Sequence, residues 1–125
     1  MKVIIAGSRT ITDYNFVKEC IVDSIKKLEW WNNGIRFGIV SGGAYGVDKL
    51  GEQYAKENDI GLSVLEAQWY MYGKKAGYVR NWAMADMSNA LIAIWDGKSK
   101  GTKHMIDIAN KKGLKVFVYK VENEK

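Results

Sequence analysis

The chain has 125 residues and a mass of 14.1 kDa, which leaves room for one domain and excludes two full hydrophobic cores. Hydrophobic residues make up 47% and charged residues 26%, a composition typical of folded globular domains that excludes an intrinsically disordered chain. A single cysteine, Cys20, and a single histidine, His104, exclude a disulfide framework and the common zinc sites. We therefore expect neither a metal nor a cofactor. The net charge of +5 permits an anionic ligand or nucleic acid as partner.

The N-terminal sequence does not resemble a targeting signal. Only four apolar residues, 3–6, precede Gly7, far fewer than a secretory signal requires. No run of the chain approaches the ~20 apolar residues of a membrane-spanning helix. We therefore expect a cytoplasmic protein without a membrane partner.

Short apolar runs alternate with longer segments of helical periodicity. A first strand is predicted at residues 3–6, and a helix is predicted to begin after Asp13, a residue type that is favoured as an N-cap. Further strands are predicted at 37–40, 62–65, 90–95 and 115–119, helices at 47–58, 78–87 and 102–112, and an aromatic loop at 68–75. Continuous apolar strands are typical of parallel sheets covered on both faces. The pattern predicts a single Rossmann-like, doubly wound α/β domain over residues 1–121. Its sheet is expected to be mainly parallel, with about five strands and helices on both faces, and residues 122–125 are expected to form a frayed tail.

Three of the predicted strands end in turns that are rich in glycine and hydroxyl residues. Parallel doubly wound sheets bind ligands at the carboxyl ends of their strands, where glycine lets the backbone approach a phosphate and helix N–H groups are free. The residues in these turns are Gly7, Ser8 and Arg9, then Ser41, Gly42, Gly43, Ala44, Gly46 and Asp48, then Asp96, Gly97, Ser99, Gly101 and Thr102. We expect them to form one anion-binding site, although any α/β fold uses glycine at tight turns. The Walker A and GxGxxG patterns are both absent from the sequence.

Four sequence blocks, in this order, resemble the SLOG superfamily, which joins the Smf/DprA proteins with the LOG phosphoribohydrolases. They are Ile5-Ala6-Gly7-Ser8-Arg9, the segment 40–48, Arg80-Asn81, and the segment 90–102. The resemblance covers nearly the whole chain and is strongest to the small stand-alone YspA, or cpYpsA-related, branch. It implies a Rossmann-like fold that binds a nucleotide, a nucleotide-derived signal or, in the DprA branch, single-stranded DNA. It also places Arg80 and Asn81 in the ligand site, and makes 97–102 the phosphate loop.

Our first hypothesis is a binding module that senses or sequesters a nucleotide or nucleotide-derived ligand at the carboxyl edge of the sheet. Trp69 and Tyr72 are the candidates for stacking on a base, the alternative being that they seal a subunit interface or the core. Asp48 is expected either to cap the second helix or to bond a ribose hydroxyl. Gly43→Val is expected to fill the space of the phosphate while leaving the fold largely intact.

Two other functions stay open. One is hydrolysis of a nucleotide N-glycosidic bond, but the resemblance places Met105 where the LOG hydrolases carry a glutamate, and a thioether transfers no proton. Arg80 and Asp96 are then the remaining catalytic candidates. The other is single-stranded DNA binding, for which the aromatics at 69–72 precede the basic residues Lys74 and Lys75. We also expect a homo-oligomer, because five tryptophans are many for so small a domain to cover alone.

Overall fold

The computed structural model describes residues 1–30 and 33–121. In chain order the elements are β1 (Lys2–Gly7), α1 (Tyr14–Leu28), β2 (Gly38–Ser41), α2 (Val47–Glu57), β3 (Leu62–Val64), α3 (Trp69–Tyr72), α4 (Ala76–Asp86), β4 (Ala90–Trp95), α5 (Lys100–Lys111) and β5 (Lys115–Lys120). Within this described part, the strands form one sheet in the order β3-β2-β1-β4-β5, and every neighbouring pair is parallel. The predicted Rossmann-like α/β fold is confirmed.

Apolar residues of β1 point alternately into two separate cores. Val3 and Ile5 pack against α1 and α2, whereas Ile4 and Ala6 pack on the opposite face against α4 and α5. This explains why the strand reads as a continuous apolar run rather than an alternating one. The chain winds from β1 outward to β3 and then crosses back to β4 on the other side of β1. The strand order therefore reverses between β1 and β4.

Two predicted features of the helices have different outcomes. Asp13 caps α1 as expected, since its Oδ1 accepts the N–H of Phe16 at 3.2 Å. The predicted aromatic loop at 68–75 is wrong: the segment forms α3, followed by a 3-10 turn over Gly73–Lys75 that leads directly into α4. Residues 69–72 contain no proline or glycine to prevent a helical turn, and the only backbone with positive φ in this segment is at Gly73, φ 58°.

Two further expectations concern the C-terminal tail and membrane-spanning helices. The tail 122–125, predicted to be frayed, lies outside the described residues. Within residues 1–30 and 33–121, no helix has the length and apolar character needed to cross a membrane.

Candidate functional site

A cavity of about 440 Å³ opens at the carboxyl ends of β1 and β4, where the strand order reverses. We call it the main chamber. Its size lies within the range of small-molecule sites, and its position is the one at which open α/β sheets bind ligands. All three predicted turns contribute to its lining, which includes Gly7, Arg9, Ala44, Asp48, Asp96, Ser99, Gly101 and Thr102. The sheet topology thus brings together turns that are about 90 residues apart in the sequence.

Apolar and aromatic side chains form another part of the chamber wall. Met84 and Met105 line it and are each 1% exposed, so both offer only an apolar surface to the chamber. Trp69 also lines the chamber and is half exposed, which leaves its ring open for stacking. Tyr72 does not line it and lies along a neighbouring groove with Val79. Of the two predicted stacking residues, only Trp69 is therefore at the site.

Seven lining residues were not among the predicted site residues: Ala6, Thr10, Lys74, Gly77, Tyr78, Met84 and Met105. Tyr78 lies three residues before Asn81 on α4, a spacing that places both on one helix face. This spacing was the signal that could have identified it. Its ring packs against the ring of His104, with the centroids 4.2 Å apart and the planes tilted by 49°.

The turn between β4 and α5 is organised by Asp96. Its Oδ1 accepts the N–H groups of Lys98 and Ser99, both at 2.8 Å. These bonds lower the pKa of Asp96, and the bond from Lys98 has the larger effect. Ser8 is buried, and its Oγ accepts the N–H of Asp96 at 3.0 Å. Gly97, with φ +81°, allows the turn to close. Asp96 is therefore a carboxylate that shapes the turn, which makes it a poor proton donor.

The start of α5, which borders the chamber, has unpaired N–H groups. Ser99 caps the helix, since its Oγ accepts the N–H of Thr102 at 3.3 Å and the hydroxyl of Thr102 at 3.0 Å. The N–H groups of Lys100 and Gly101 form no hydrogen bond with any described residue. A Cβ added to Gly101 would meet no atom within 4 Å, and φ there is not positive. Nothing inside the described chain therefore requires glycine at this position.

The turn between β2 and α2 is held together by its own polar groups. Ser41 is fully buried, and its Oγ donates to Oε2 of Glu52 at 2.7 Å and accepts the N–H of Gly43 at 3.1 Å. Its hydroxyl thus faces inward rather than towards a ligand. Asp48 holds the turn as well, because its Oδ2 accepts the N–H of Ala44 at 3.2 Å. Asp48 does not cap α2, whose N-cap residue is Gly46.

Asp48 is a buried carboxyl group on the chamber wall. It is only 5% exposed, and this burial raises its pKa to about 6. The N–H of Ala44 and the charge of Arg80 oppose the shift, whereas Glu52 adds to it. Buried carboxyl groups with a raised pKa in a cleft are candidates for functional residues.

Several of the predicted glycines are required by packing within the turns. A Cβ on Gly7 would lie 2.7 Å from the Val47 side chain, and one on Gly46 would lie 2.6 Å from Cα of Arg9, so both let the turns pack against each other. Gly43 has φ +77°, and a Cβ there would point at Glu66, 3.1 Å from its Cγ. The expectation that Gly43→Val leaves the fold largely intact is therefore wrong, because the substitution would strain the turn, and its effect on ligand binding stays a prediction.

Arg80 is fixed across the chamber by two hydrogen bonds. Its Nη1 donates to the carbonyl oxygen of Gly42 at 2.6 Å, and its Nε donates to Oδ1 of Asn81 at 3.0 Å. Asn81 is buried, and its Nδ2 lies 3.1 Å from Nδ1 of His104. Burial lowers the pKa of His104, which favours the neutral ring, and in the tautomer with its proton on Nε2 the Nδ1 atom accepts from the amide of Asn81. Gly42 makes this arrangement fit, since a Cβ there would be 2.6 Å from Nη1 of Arg80.

Arg9 provides a second guanidinium at the chamber. It is exposed and forms no hydrogen bond or ion pair with any residue in the described part of the chain. Burial lowers the pKa of Arg80; the charge of Asp48 opposes this shift and the charge of Arg9 adds to it. Within residues 1–30 and 33–121, no carboxylate lies within 4.0 Å of either guanidinium. The two cations are therefore available to an anion.

Among the described residues, no three His, Cys, Asp or Glu side chains are grouped so that they could hold a metal ion.

Comparison with known proteins found a similarity to a phage protein. No family model matches the chain, and no solved structure matches it. The chain is similar to the Gene 61 protein of Mycobacterium phage D29, with 29% identity over 122 residues. The aligned region covers 93% of this chain and 94% of the phage protein, so the similarity extends over the whole domain.

Proposed function

We propose that the protein binds a nucleotide or nucleotide-derived, phosphate-bearing ligand in the main chamber, as a sensor or sequestering module. The observation that carries this proposal is the start of α5. Two N–H groups without partners in the described chain lie there beside a glycine whose missing side chain leaves open space on the chamber wall. The N-terminal end of a helix carries partial positive charge and donates hydrogen bonds, which suits a phosphate. The resemblance to the SLOG superfamily supports the same ligand class.

The other lining residues fit the remaining parts of such a ligand. Arg9 and Arg80 supply guanidinium groups, which bind phosphate through paired N–H donors. Trp69 offers a half-exposed ring of the kind that stacks on a base. The free energy cost of a glycine in a helix, up to about 1 kcal/mol relative to alanine, is offset if a ligand uses the space above Gly101.

The proposal is tested by Gly101→Leu, with Gly61→Leu as the matched control. A Cβ at either glycine meets nothing within 4 Å and neither has a positive φ, but only Gly101 lines the chamber. We expect both variants to fold like the wild type. In calorimetric titrations with nucleoside monophosphates, Gly101→Leu should weaken binding by about a hundredfold, the equivalent of losing a charge-assisted hydrogen-bonded site, and Gly61→Leu should not change it.

Native mass spectrometry of the gently purified protein identifies which ligand to titrate and reports the number of subunits. If no nucleotide co-purifies and none binds in the titrations, or if Gly101→Leu binds as well as the wild type, the assignment of the α5 start as the phosphate site fails.

The raised pKa of Asp48 favours a second candidate, hydrolysis of the N-glycosidic bond. This carboxyl group lines the chamber, is buried and lies near Arg80, so it replaces Asp96 as the candidate proton donor. Free base accumulating from a bound nucleotide, with the release lost in Asp48→Asn, would identify the protein as an enzyme. Release that survives in Asp48→Asn would remove Asp48 from this role.

A further inference from the structure

A second cavity, of about 390 Å³, adjoins the main chamber. We call it the side chamber. The two cavities share part of their lining, namely Arg9, Ala44, Trp69 and Arg80, so these residues form a common wall. Each cavity alone is within the size range of a small-molecule site. A mononucleotide in the main chamber would therefore leave the side chamber empty.

The common wall carries the two guanidinium groups. Neither has an ion-pair partner in the described chain, and they lie close enough for the charge of Arg9 to destabilise the charged form of Arg80. The charge of Asp48 stabilises the guanidinium of Arg80 without forming an ion pair with it, and an anion placed between the two guanidinium groups would reduce the repulsion that remains between them. A diphosphate suits the position, because one phosphate group can accept paired N–H donors from Arg9 while the other accepts the N–H groups of Arg80 that its bonds to Gly42 and Asn81 leave free.

The side chamber has its own groups that suit a nucleoside. Tyr45 lines only this chamber and is 77% exposed, which leaves its ring free to stack. Glu66 also lines it and, in the described part of the chain, has no hydrogen bond or ion pair, so its carboxylate is available to hydroxyl donors. The main chamber offers the corresponding pair, the Trp69 ring and the Asp48 carboxyl group. Each chamber thus combines an aromatic ring with a carboxyl group.

We propose that the ligand is dinucleotide-like, with two ring-bearing halves joined by a diphosphate. The diphosphate lies at the common wall, between Arg9 and Arg80, and each chamber holds one half. This inference rests on the proposed function and narrows its ligand class from nucleotides in general to compounds with a group on both sides of a diphosphate.

The test compares two series of compounds, both titrated calorimetrically into the full chain. One series is the nucleoside 5′-monophosphates of adenine, guanine, cytosine and uracil, and the other is the symmetric P1,P2-dinucleoside 5′-diphosphates of these four bases. For the preferred base we expect the dinucleotide to bind about thirtyfold more tightly, the contribution of a second stacked ring. Tyr45→Ala should remove most of this gain and leave the monophosphate affinity unchanged, because Tyr45 does not line the main chamber. Tyr70→Ala is the control, since Tyr70 is fully exposed and lines neither chamber.

The outcomes separate the two proposals. Monophosphate binding without a gain for the dinucleotide, or a gain that survives in Tyr45→Ala, overturns the dinucleotide inference and leaves the proposed function intact. Absence of binding by both series overturns the proposed function and the inference with it. Glu66→Gln provides a second variant in the side chamber that leaves the fold undisturbed, and it should reduce only the dinucleotide affinity.

Discussion

Asp48 combines two properties that its neighbours do not share. Its carboxyl group is buried in the wall of the main chamber, and it anchors the β2–α2 turn through the N–H of Ala44. Asp96 also anchors a turn, but it is only half buried and donors from its own loop keep its pKa low. Two aspartates with the same structural task are thus set apart by their burial and by the N–H donors around them.

The raised pKa of Asp48 predicts a pH dependence of stability. The pKa rises from its ordinary value of 3.8 to about 6 in the folded state, so between these values the folded protein holds a proton that the unfolded chain has released. Raising the pH through this window should therefore lower the free energy of unfolding, by about 3 kcal/mol, and above it the contribution should stay constant. Urea unfolding from about pH 4 to about pH 7 measures the effect.

Asp48→Asn isolates this contribution. The amide oxygen of Asn still accepts the N–H of Ala44, but the side chain no longer titrates. Other titrating groups, including His104, are common to both proteins and cancel in the difference between them. A difference in stability between wild type and variant that does not change with pH would show that Asp48 is solvated in the folded state.

At the scale of the elements, the two rings of α3 that were predicted to stack on a base have different surroundings. Trp69, the first residue of the helix, lies on the wall of the main chamber, whereas Tyr72, its last residue, lies along the groove beside Val79. The sequence alone offered no way to rank the two rings. The structure separates a residue at the site from one that lies outside it.

This arrangement predicts different effects for two similar substitutions. Trp69→Ala should weaken binding of the preferred nucleotide by about tenfold, the contribution of one base-stacking contact, whereas Tyr72→Ala should leave the affinity unchanged. Titration calorimetry measures both. Trp69→Phe is expected to recover most of the loss, because it restores a ring that can stack. Equal losses for Trp69→Ala and Tyr72→Ala would indicate that the chamber is not where the base binds.

Strands and long helices were predictable from the sequence because their signals are local. The apolar run at β1 and the periodicity of α1 are set by contacts with the two cores, and the turns after β1, β2 and β4 follow from the sheet topology. The roles of single residues in those turns were not predictable. The hydroxyl of Ser41 points inward because it donates to the side chain of Glu52, and a Cβ at Gly43 would point at the side chain of Glu66. Both roles depend on side chains from other parts of the fold.

At the scale of the whole molecule, the distribution of charge separates a small ligand from a DNA strand. The net charge of +5 would allow either ligand. Among the described residues that line the main chamber, three are basic, namely Arg9, Lys74 and Arg80. Tyr70 and Met71 are exposed on α3, line neither chamber and come a few residues before Lys74 and Lys75 in the sequence. A strand would use this outer surface, whereas a nucleotide in the chamber would not.

Oligothymidylates of about 5 to about 30 nucleotides distinguish these functions, because a strand contacts more of the protein as it lengthens and its affinity depends steeply on salt. For a chamber that holds one ligand, we expect the affinity not to increase with length. The logarithm of the binding constant should also fall with the logarithm of salt concentration with a slope no steeper than about −2, since each phosphate contact of a single strand contributes about −0.7. Tyr70→Ala should not affect nucleotide binding. Affinity that increases with strand length and is lost in Tyr70→Ala would instead assign the function to the outer surface of α3, as in single-stranded DNA binding.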